Sequence, residues 1–119
     1  MLAVKELSKQ YSPQVSALEN VSFEIPRGSF TAILGMSGAG KTTLMRCILQ
    51  LLPPSNGEVW FQETLLTRCS RKDLQQARRQ IAAIAQQYNL VRRRSAIENC
   101  LGGRLKELPL WRCWLGQFP

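Results

Sequence analysis

Three glycines, a lysine and a threonine stand at a spacing that suits the binding of phosphate groups. Residues 35–42 have the pattern glycine, four residues, glycine, lysine, threonine. Because glycine has no side chain, the backbone N–H groups of such a loop can approach an anion closely and form a nest around it. Lys41 would reach the terminal phosphates with its positive charge, and the Thr42 hydroxyl can ligate Mg²⁺. The pattern predicts a site for a nucleoside triphosphate, with ATP and Mg²⁺ as the expected ligands.

The elements on both sides of this loop are expected to hold it between a strand and a helix. The apolar run 30–34 precedes the loop and is typical of a buried strand. After Lys41 the apolar residues recur at helical spacing up to residue 52, and Pro53 and Pro54 would end that helix. The positive end of the helix dipole would add to the field at the phosphates. This context favours a true phosphate loop over a tight turn that matches the pattern by chance. The predicted contacts to the nucleotide here are Gly35, Met36, Ser37, Gly38, Ala39, Gly40, Lys41, Thr42 and Thr43.

Further strands and helices are predicted along the chain. Alternating apolar residues predict strands that end near residue 25 and near residue 61, and the run 81–85 predicts another. Ser70 is expected to cap a polar helix over 71–80, and Ser95 a second short helix. The pattern favours an α/β fold, and the length of 119 residues suits one domain.

Composition excludes several classes of protein. The chain is 45% hydrophobic and 20% charged, which is ordinary for a folded protein, and no apolar stretch is long enough to span a bilayer. The N-terminus does not have the layout of a secretory signal, so we expect a cytoplasmic protein. Four scattered cysteines without any histidine argue against a zinc site.

The net charge is +8, from 16 basic and 8 acidic residues, and it is uneven. Residues 60–119 hold 11 basic and 4 acidic side chains, against 5 and 4 in residues 1–59. A basic surface can attract nucleic acid, anionic lipid or an acidic partner, but it can equally be a solvated face. Charge alone therefore leaves the kind of partner open.

The regions around the loop resemble the ATP-binding-cassette (ABC) transporter ATPases over nearly the whole chain. The segments that carry the resemblance are residues 11–23, the turn 26–28, the run 81–90 and Ile97-Glu98-Asn99. Among such cassettes the chain is most similar to the ATPase subunits of phosphonate-type importers, through Gln86-Gln87-Tyr88-Asn89-Leu90, Gly103-Arg104-Leu105 and the tail from Trp111. The resemblance implies the P-loop NTPase fold of the ABC ATPase type.

The family pattern also implies roles for two residues outside the loop. Tyr11 would stack its ring on adenine, a role for which an aromatic face is suited, although an ordinary half-buried tyrosine would look the same in sequence. Gln86 matches the Q-loop glutamine, which is expected to contact Mg²⁺ and the attacking water, and with Lys41 it forms the candidate catalytic set. Ala85 departs from the bulky residue usual before that glutamine. Arginines 92–94 would face the transmembrane subunits, or form a solvated charge run.

A complete ABC cassette has further parts that the sequence does not show. These are an apolar strand that ends in Asp-Glu (Walker B), a Leu-Ser-Gly-Gly-Gln signature loop and a switch histidine. The single aspartate, Asp73, follows Arg71-Lys72 rather than an apolar strand, and the chain has no histidine. We therefore expect residues 1–119 to be a truncated nucleotide-binding domain: an incomplete fold with the β-rich N-terminal part, the P-loop and the Q-loop region. We expect its hydrolysis of ATP to be impaired.

The function implied by the resemblance is the ATP-binding portion of an importer ATPase subunit, with phosphonate or a related oxyanion as cargo. Its partners would be transmembrane permease subunits and a second ATPase subunit, and its place the inner face of the cell membrane. One alternative is a P-loop kinase or GTPase outside this family, but no guanine-reading Asn-Lys-x-Asp motif is present. Another is a basic module that binds nucleic acid; no specific nucleic acid is expected, because aromatic residues do not alternate with the basic ones.

Overall fold

The computed structural model describes residues 1–84 and 90–102. These residues form the strands β1 (Leu2–Ser12), β2 (Val15–Ile25), β3 (Asn56–Phe61) and β4 (Thr64–Leu65), and the helices α1 (Lys41–Ile48), α2 (Arg71–Arg78) and α3 (Ala96–Gly102). The chain divides into two compact units, Met1–Ala82 and Ala83–Pro119. All four strands, α1 and α2 lie in the first unit, and α3 lies in the second.

The sheet of the first unit is antiparallel, with the strand order β2-β1-β3-β4. β1 and β2 form a hairpin in which Ser12 pairs with Val15, so the connecting turn has two residues. β1 is an inner strand of this sheet, and the pattern of its residues did not predict it. Its alternation is interrupted because Glu6 has a positive φ of 48°, where the register between Val4 and Leu7 shifts.

Serine and asparagine side chains support this irregular stretch of the hairpin. The Glu6 N–H donates to Ser22 Oγ at 2.8 Å. On β2, Asn20 has a φ of 47°, and its N–H donates to Ser8 Oγ at 2.9 Å. These side chains take over hydrogen bonds that a regular ladder would supply, so the bulged strands keep their polar groups paired.

The core lies between the sheet and the helices α1 and α2. Leu7, Val59 and Cys47 are fully buried, and they come from β1, β3 and α1 respectively. Ala77 adds the buried contact of α2. This core holds α1 against the sheet, and α1 directly follows the glycine loop.

The predicted buried strand before the loop is wrong. Residues 30–34 have no regular secondary structure, and Phe30 and Leu34 are 96% and 90% exposed. A buried parallel strand requires a hydrogen-bonded neighbouring strand on each side. The four-stranded sheet does not include this segment. The predicted strand over 81–85 is also wrong for residues 81–84, which have no regular structure; Ala85 lies outside the described residues.

The helices agree better with the sequence, although α1 is shorter than expected. It ends at Ile48, before the two prolines, because Gln50 adopts a positive φ of 53° and the Leu51 N–H bonds to the Arg46 carbonyl at 2.9 Å. This is a C-terminal cap with a left-handed residue. Arg78 of α2 also donates to the Leu49 and Gln50 carbonyls, at 3.1 and 2.6 Å.

The predicted caps of the other two helices are confirmed. Ser70 caps α2, because its hydroxyl accepts the Asp73 N–H at 3.2 Å. In the second unit Ser95 precedes α3, and its hydroxyl accepts the Glu98 N–H at 3.3 Å. In return, the Glu98 carboxylate accepts the Ser95 N–H at 2.8 Å, so the two residues form a capping box.

Candidate functional site

The glycine loop ends where Gly40 packs directly against the sheet. Gly40 caps α1 in a left-handed conformation with φ 83°. A Cβ at this position would lie 2.4 Å from the Ala17 carbonyl oxygen and 3.2 Å from Leu18 Cδ2. The backbone of the loop therefore touches β2 at a distance that only glycine allows. This contact fixes the direction in which α1 leaves the loop.

The loop wraps around the ammonium group of Lys41. Lys41 Nζ donates to the Gly35 and Met36 carbonyls, both at 2.7 Å. A Cβ at Gly35 would lie 3.2 Å from Ala39 Cβ and 3.9 Å from Lys41 Nζ, so the glycine leaves room beside the charge. The Ala39 N–H bonds to the Met36 carbonyl at 3.2 Å and closes a turn over the lysine. The sequence prediction that Gly35 and Lys41 share one site is consistent with this geometry.

The N-terminus of α1 carries positive potential that no side chain of its own neutralises. Within the described part of the chain, Gly40 makes no side-chain cap and the first turn of α1 contains no acidic residue. Helix N-termini present free N–H groups and a partial positive charge. With the Lys41 ammonium beside them, these groups form a cationic, donor-rich concavity that suits an anion with several oxygen atoms.

Tyr11 is the predicted site residue that the fold brings to the loop from a distance. Its hydroxyl lies 3.2 Å from Thr43 Oγ1, across 32 positions of sequence. Tyr11 is 54% exposed, so part of its ring is open to a ligand. Thr42 is exposed, and Thr43 is partly buried. An aromatic surface, a hydroxyl and the phosphate loop therefore lie in one continuous region of the first unit.

Ser37, Gly38 and Met36 form the exposed tip of the loop. Met36 is 86% exposed, and Gly38 has a φ of 82° with no atom within 4 Å of a Cβ added to it.

Gln86, the predicted Q-loop residue, lies outside the described residues. Sequence reasoning missed Lys9, whose Nζ lies 5.8 Å from the centre of the Tyr11 ring. The spacing in the sequence could have pointed to Lys9, because it stands two residues before Tyr11 and alternate residues of a regular strand point to the same side.

The second unit presents arginines 92–94 on a turn that Asn99 holds in place. Asn99 Oδ1 accepts the Val91 N–H at 2.8 Å, and its Nδ2 donates to the carbonyls of Val91, Arg94 and Ser95 at 3.0–3.2 Å. The three arginines are exposed.

Hydrogen bonds from Ser95 lower the pKa of Glu98 below its ordinary value, and the charge of Arg94 adds a smaller effect in the same direction.

Comparison with known proteins decides the family. The family profile described as ABC transporter matches residues 18–117, which is most of the chain. The chain belongs to the ABC transporter family. A phosphonates import ATP-binding protein of Synechococcus sp. is 44% identical over all 119 residues, and one of Wolinella succinogenes is also 44% identical over the same length. The resemblance to the ATPase subunits of phosphonate-type importers is thereby confirmed.

Solved ABC structures agree with the sequence relatives. The dimeric cassette MJ0796 superposes with a TM-score of 0.81 at 31% identity, over 92% of this chain and 49% of that one. A post-hydrolysis state of the same cassette, bound to ADP and Pi, gives a TM-score of 0.75 at 34% identity, over 83% and 44%. The chain therefore has the P-loop NTPase fold of ABC cassettes over the part that it covers.

This ABC chain spans less than half the length of the curated relatives that it matches. Its 119 residues cover 44% of the Synechococcus protein and 43% of the Wolinella protein. None of the helices among the described residues is long and apolar enough to cross a membrane.

Proposed function

We propose that this chain is the ATP-binding portion of the ATPase subunit of an ABC importer, with phosphonate or a related oxyanion as the cargo. The observation that carries the proposal is the loop of residues 35–40 wrapped around the Lys41 ammonium at the open N-terminus of α1. Its glycines leave the space and the N–H groups that phosphate oxygens need. The cargo is inferred from the names of the relatives, which are phosphonates import proteins.

The residues of the site fit a nucleoside triphosphate. Lys41 Nζ donates to two loop carbonyls, and phosphate oxygens would replace those acceptors while the loop amides donate to the same anion. Tyr11 would lie beneath adenine, and Thr43 beside the phosphates. The remaining loop residues would follow the triphosphate with their backbone, as the glycines at 35, 38 and 40 allow.

Mg²⁺ is proposed as the cation that accompanies ATP. Thr42 would contribute its hydroxyl, and phosphate oxygens and water would complete the octahedral ligand set that Mg²⁺ prefers. Within residues 1–84 and 90–102, no group of three or more histidine, cysteine, aspartate or glutamate side chains comes together for a metal ion. Gln86 is proposed as a further ligand and as a catalytic residue with Lys41. When bound, the cation neutralises phosphate charge.

Hydrolysis by this chain alone is proposed to be near background. Its one aspartate, Asp73, lies in the first turn of α2 and accepts a hydrogen bond from the capping residue Ser70. The chain has no histidine. Without a Walker B carboxylate and a signature loop, neither of which the sequence shows, the transferring phosphoryl group would lose most of its electrostatic stabilisation.

The proposed partners are transmembrane permease subunits and a second ATPase subunit, at the inner face of the cell membrane. Arginines 92–94 support a partner contact, because Asn99 holds their turn and leaves their side chains exposed. Replacing the three arginines with alanine should reduce co-purification with the permease subunits of a phosphonate importer. Replacing Arg71 and Lys72, which are exposed on α2, is the matched control and should change nothing.

Equilibrium binding of a fluorescent ATP analogue with Mg²⁺ tests the nucleotide proposal. We expect saturable binding that unlabelled ATP displaces, and a steady-state ATPase rate close to that of buffer. Salt-sensitive binding to random single-stranded DNA that ATP does not displace, without nucleotide binding, would contradict the proposal. A turnover equal to that of complete cassettes would contradict the part that concerns hydrolysis.

A further inference from the structure

Two contacts hold the Tyr11 ring beside the first turn of α1. At one end the hydroxyl lies 3.2 Å from Thr43 Oγ1 on α1. Over the ring stands the ammonium of Lys9, 5.8 Å from the ring centre and within the range of a cation–π interaction. The first contact fixes the distance from the ring to α1, and the second covers the ring from one side. Both contacts are made between side chains of the chain itself.

Lys9 is itself fixed by the segment that follows α1. Its Nζ donates to the Pro53 carbonyl at 2.7 Å, across 44 positions of sequence. Lys9 is partly buried, unlike a lysine that extends freely into solvent. The ammonium therefore has a defined place, and an ordered cation can orient an aromatic ring where a mobile one could not. The register of β1 shifts between Lys9 and Gln10, yet Lys9 Nζ stays 5.8 Å from the centre of the Tyr11 ring, so the two side chains lie side by side.

We infer that Lys9 is a positioning residue for the base-binding surface: it holds the Tyr11 ring so that its open part can stack on adenine. This inference rests on the proposed function, because it assigns no role to Lys9 unless Tyr11 stacks on a base. Lys9 acts through Tyr11 and does not touch the nucleotide. Lys9 should therefore strengthen the binding of the base and have no effect on the binding of the phosphates.

That division gives a test with two ligands. Tripolyphosphate with Mg²⁺ reports on the phosphate loop alone, and ATP with Mg²⁺ reports on the loop and the base together. The variant Lys9→Met keeps the length of the apolar stem but removes the charge. We expect it to weaken ATP binding roughly two- to fivefold, the size of one exposed cation–π contact, and to leave tripolyphosphate binding unchanged. Lys9→Arg should restore ATP binding, since a guanidinium can both stack on the ring and donate to a carbonyl.

Lys5→Met is the matched control for this experiment. Lys5 lies on the same strand with its ammonium 5.9 Å from the Trp60 ring, so the substitution removes the same kind of contact away from the loop. It should change neither affinity. A thermal melt of each variant confirms that the chain is folded before the titrations are compared.

The outcomes separate the two proposals. Equal weakening of ATP and tripolyphosphate by Lys9→Met, or no change in either, would overturn the inference about Lys9 while the phosphate site stands. Lack of rescue by Lys9→Arg would also overturn it. If the unaltered chain binds neither ligand, the proposed function fails, and the role of Lys9 fails with it.

Discussion

The contact between Gly40 and β2 gives a prediction whose size can be worked from the structure. Gly40→Ala places a Cβ 2.4 Å from the Ala17 carbonyl oxygen, closer than real Cβ contacts come, so the loop or the strand must move. The left-handed φ of 83° costs alanine about 1–2 kcal/mol. Relief of the overlap adds about 1–3 kcal/mol, as for other overpacked sites. The expected loss of unfolding free energy is about 2–5 kcal/mol.

Gly38→Ala is the control that separates these two contributions. Gly38 has almost the same φ, 82°, but no atom lies within 4 Å of a Cβ built there. Its expected cost is the conformational part alone, about 1–2 kcal/mol. Replacing glycine with alanine also lowers the conformational entropy of the unfolded chain. This effect is the same in both variants, so it cancels when they are compared.

Urea unfolding followed by far-UV circular dichroism measures the difference. The overlap part of about 1–3 kcal/mol separates the two variants. With a slope of about 2 kcal/mol per molar urea, the Gly40→Ala midpoint should lie below that of Gly38→Ala by about 0.5–1.5 M. Equal midpoints for the two variants would refute the close packing of the loop on β2.

Three further predictions concern pH, thiol reactivity and the core. The folded-state pKa of Glu98 is lowered, so the Glu98 carboxylate stabilises α3 above the ordinary carboxyl pKa, and this stabilisation is lost as pH falls through the lowered pKa. Ser95→Ala should raise the Glu98 pKa in an NMR titration. An unchanged pKa would contradict the capping box. Burial raises the pKa of the Cys47 thiol, so iodoacetamide should modify exposed Cys100 well before Cys47 in the folded chain, and equal rates would count against a buried Cys47. Leu7→Ala should lower the unfolding free energy by about 2–5 kcal/mol in the same urea assay, because Leu7 is fully buried, and a loss below about 1 kcal/mol would argue against this core.

The glycine loop could be predicted from sequence because its requirements are local. Gly35 matters because of its neighbours Ala39 and Lys41, and its spacing from Lys41 can be read from the sequence. The reason for Gly40 is different, because its contact with Ala17 of β2 is visible only in the fold. The caps at Ser70 and Ser95 were predictable for the same reason, since each capping hydroxyl bonds to an N–H three residues ahead.

The strands were harder because pairing depends on distant residues. The apolar run 30–34 predicts a buried strand, yet nothing local says which neighbours will pair with it, and Phe30 is almost fully exposed. β1 escaped prediction because the bulge at Glu6 breaks its alternation. The link between Tyr11 and Thr43 joins residues 32 positions apart and became visible only in the fold.

Titration of the Lys41→Ala variant with Mg²⁺ and a labelled nucleotide shows whether the Lys41 ammonium binds the phosphates. Lys72→Ala, which removes an exposed lysine of α2, serves as the control for the loss of one positive charge. We expect Lys41→Ala to weaken binding at least tenfold, which corresponds to about 1.4 kcal/mol or one charge-assisted hydrogen bond, while Lys72→Ala binds as the unaltered chain does. Equal affinity of the Lys41→Ala variant and the unaltered chain would contradict a role of Lys41 in binding the phosphates.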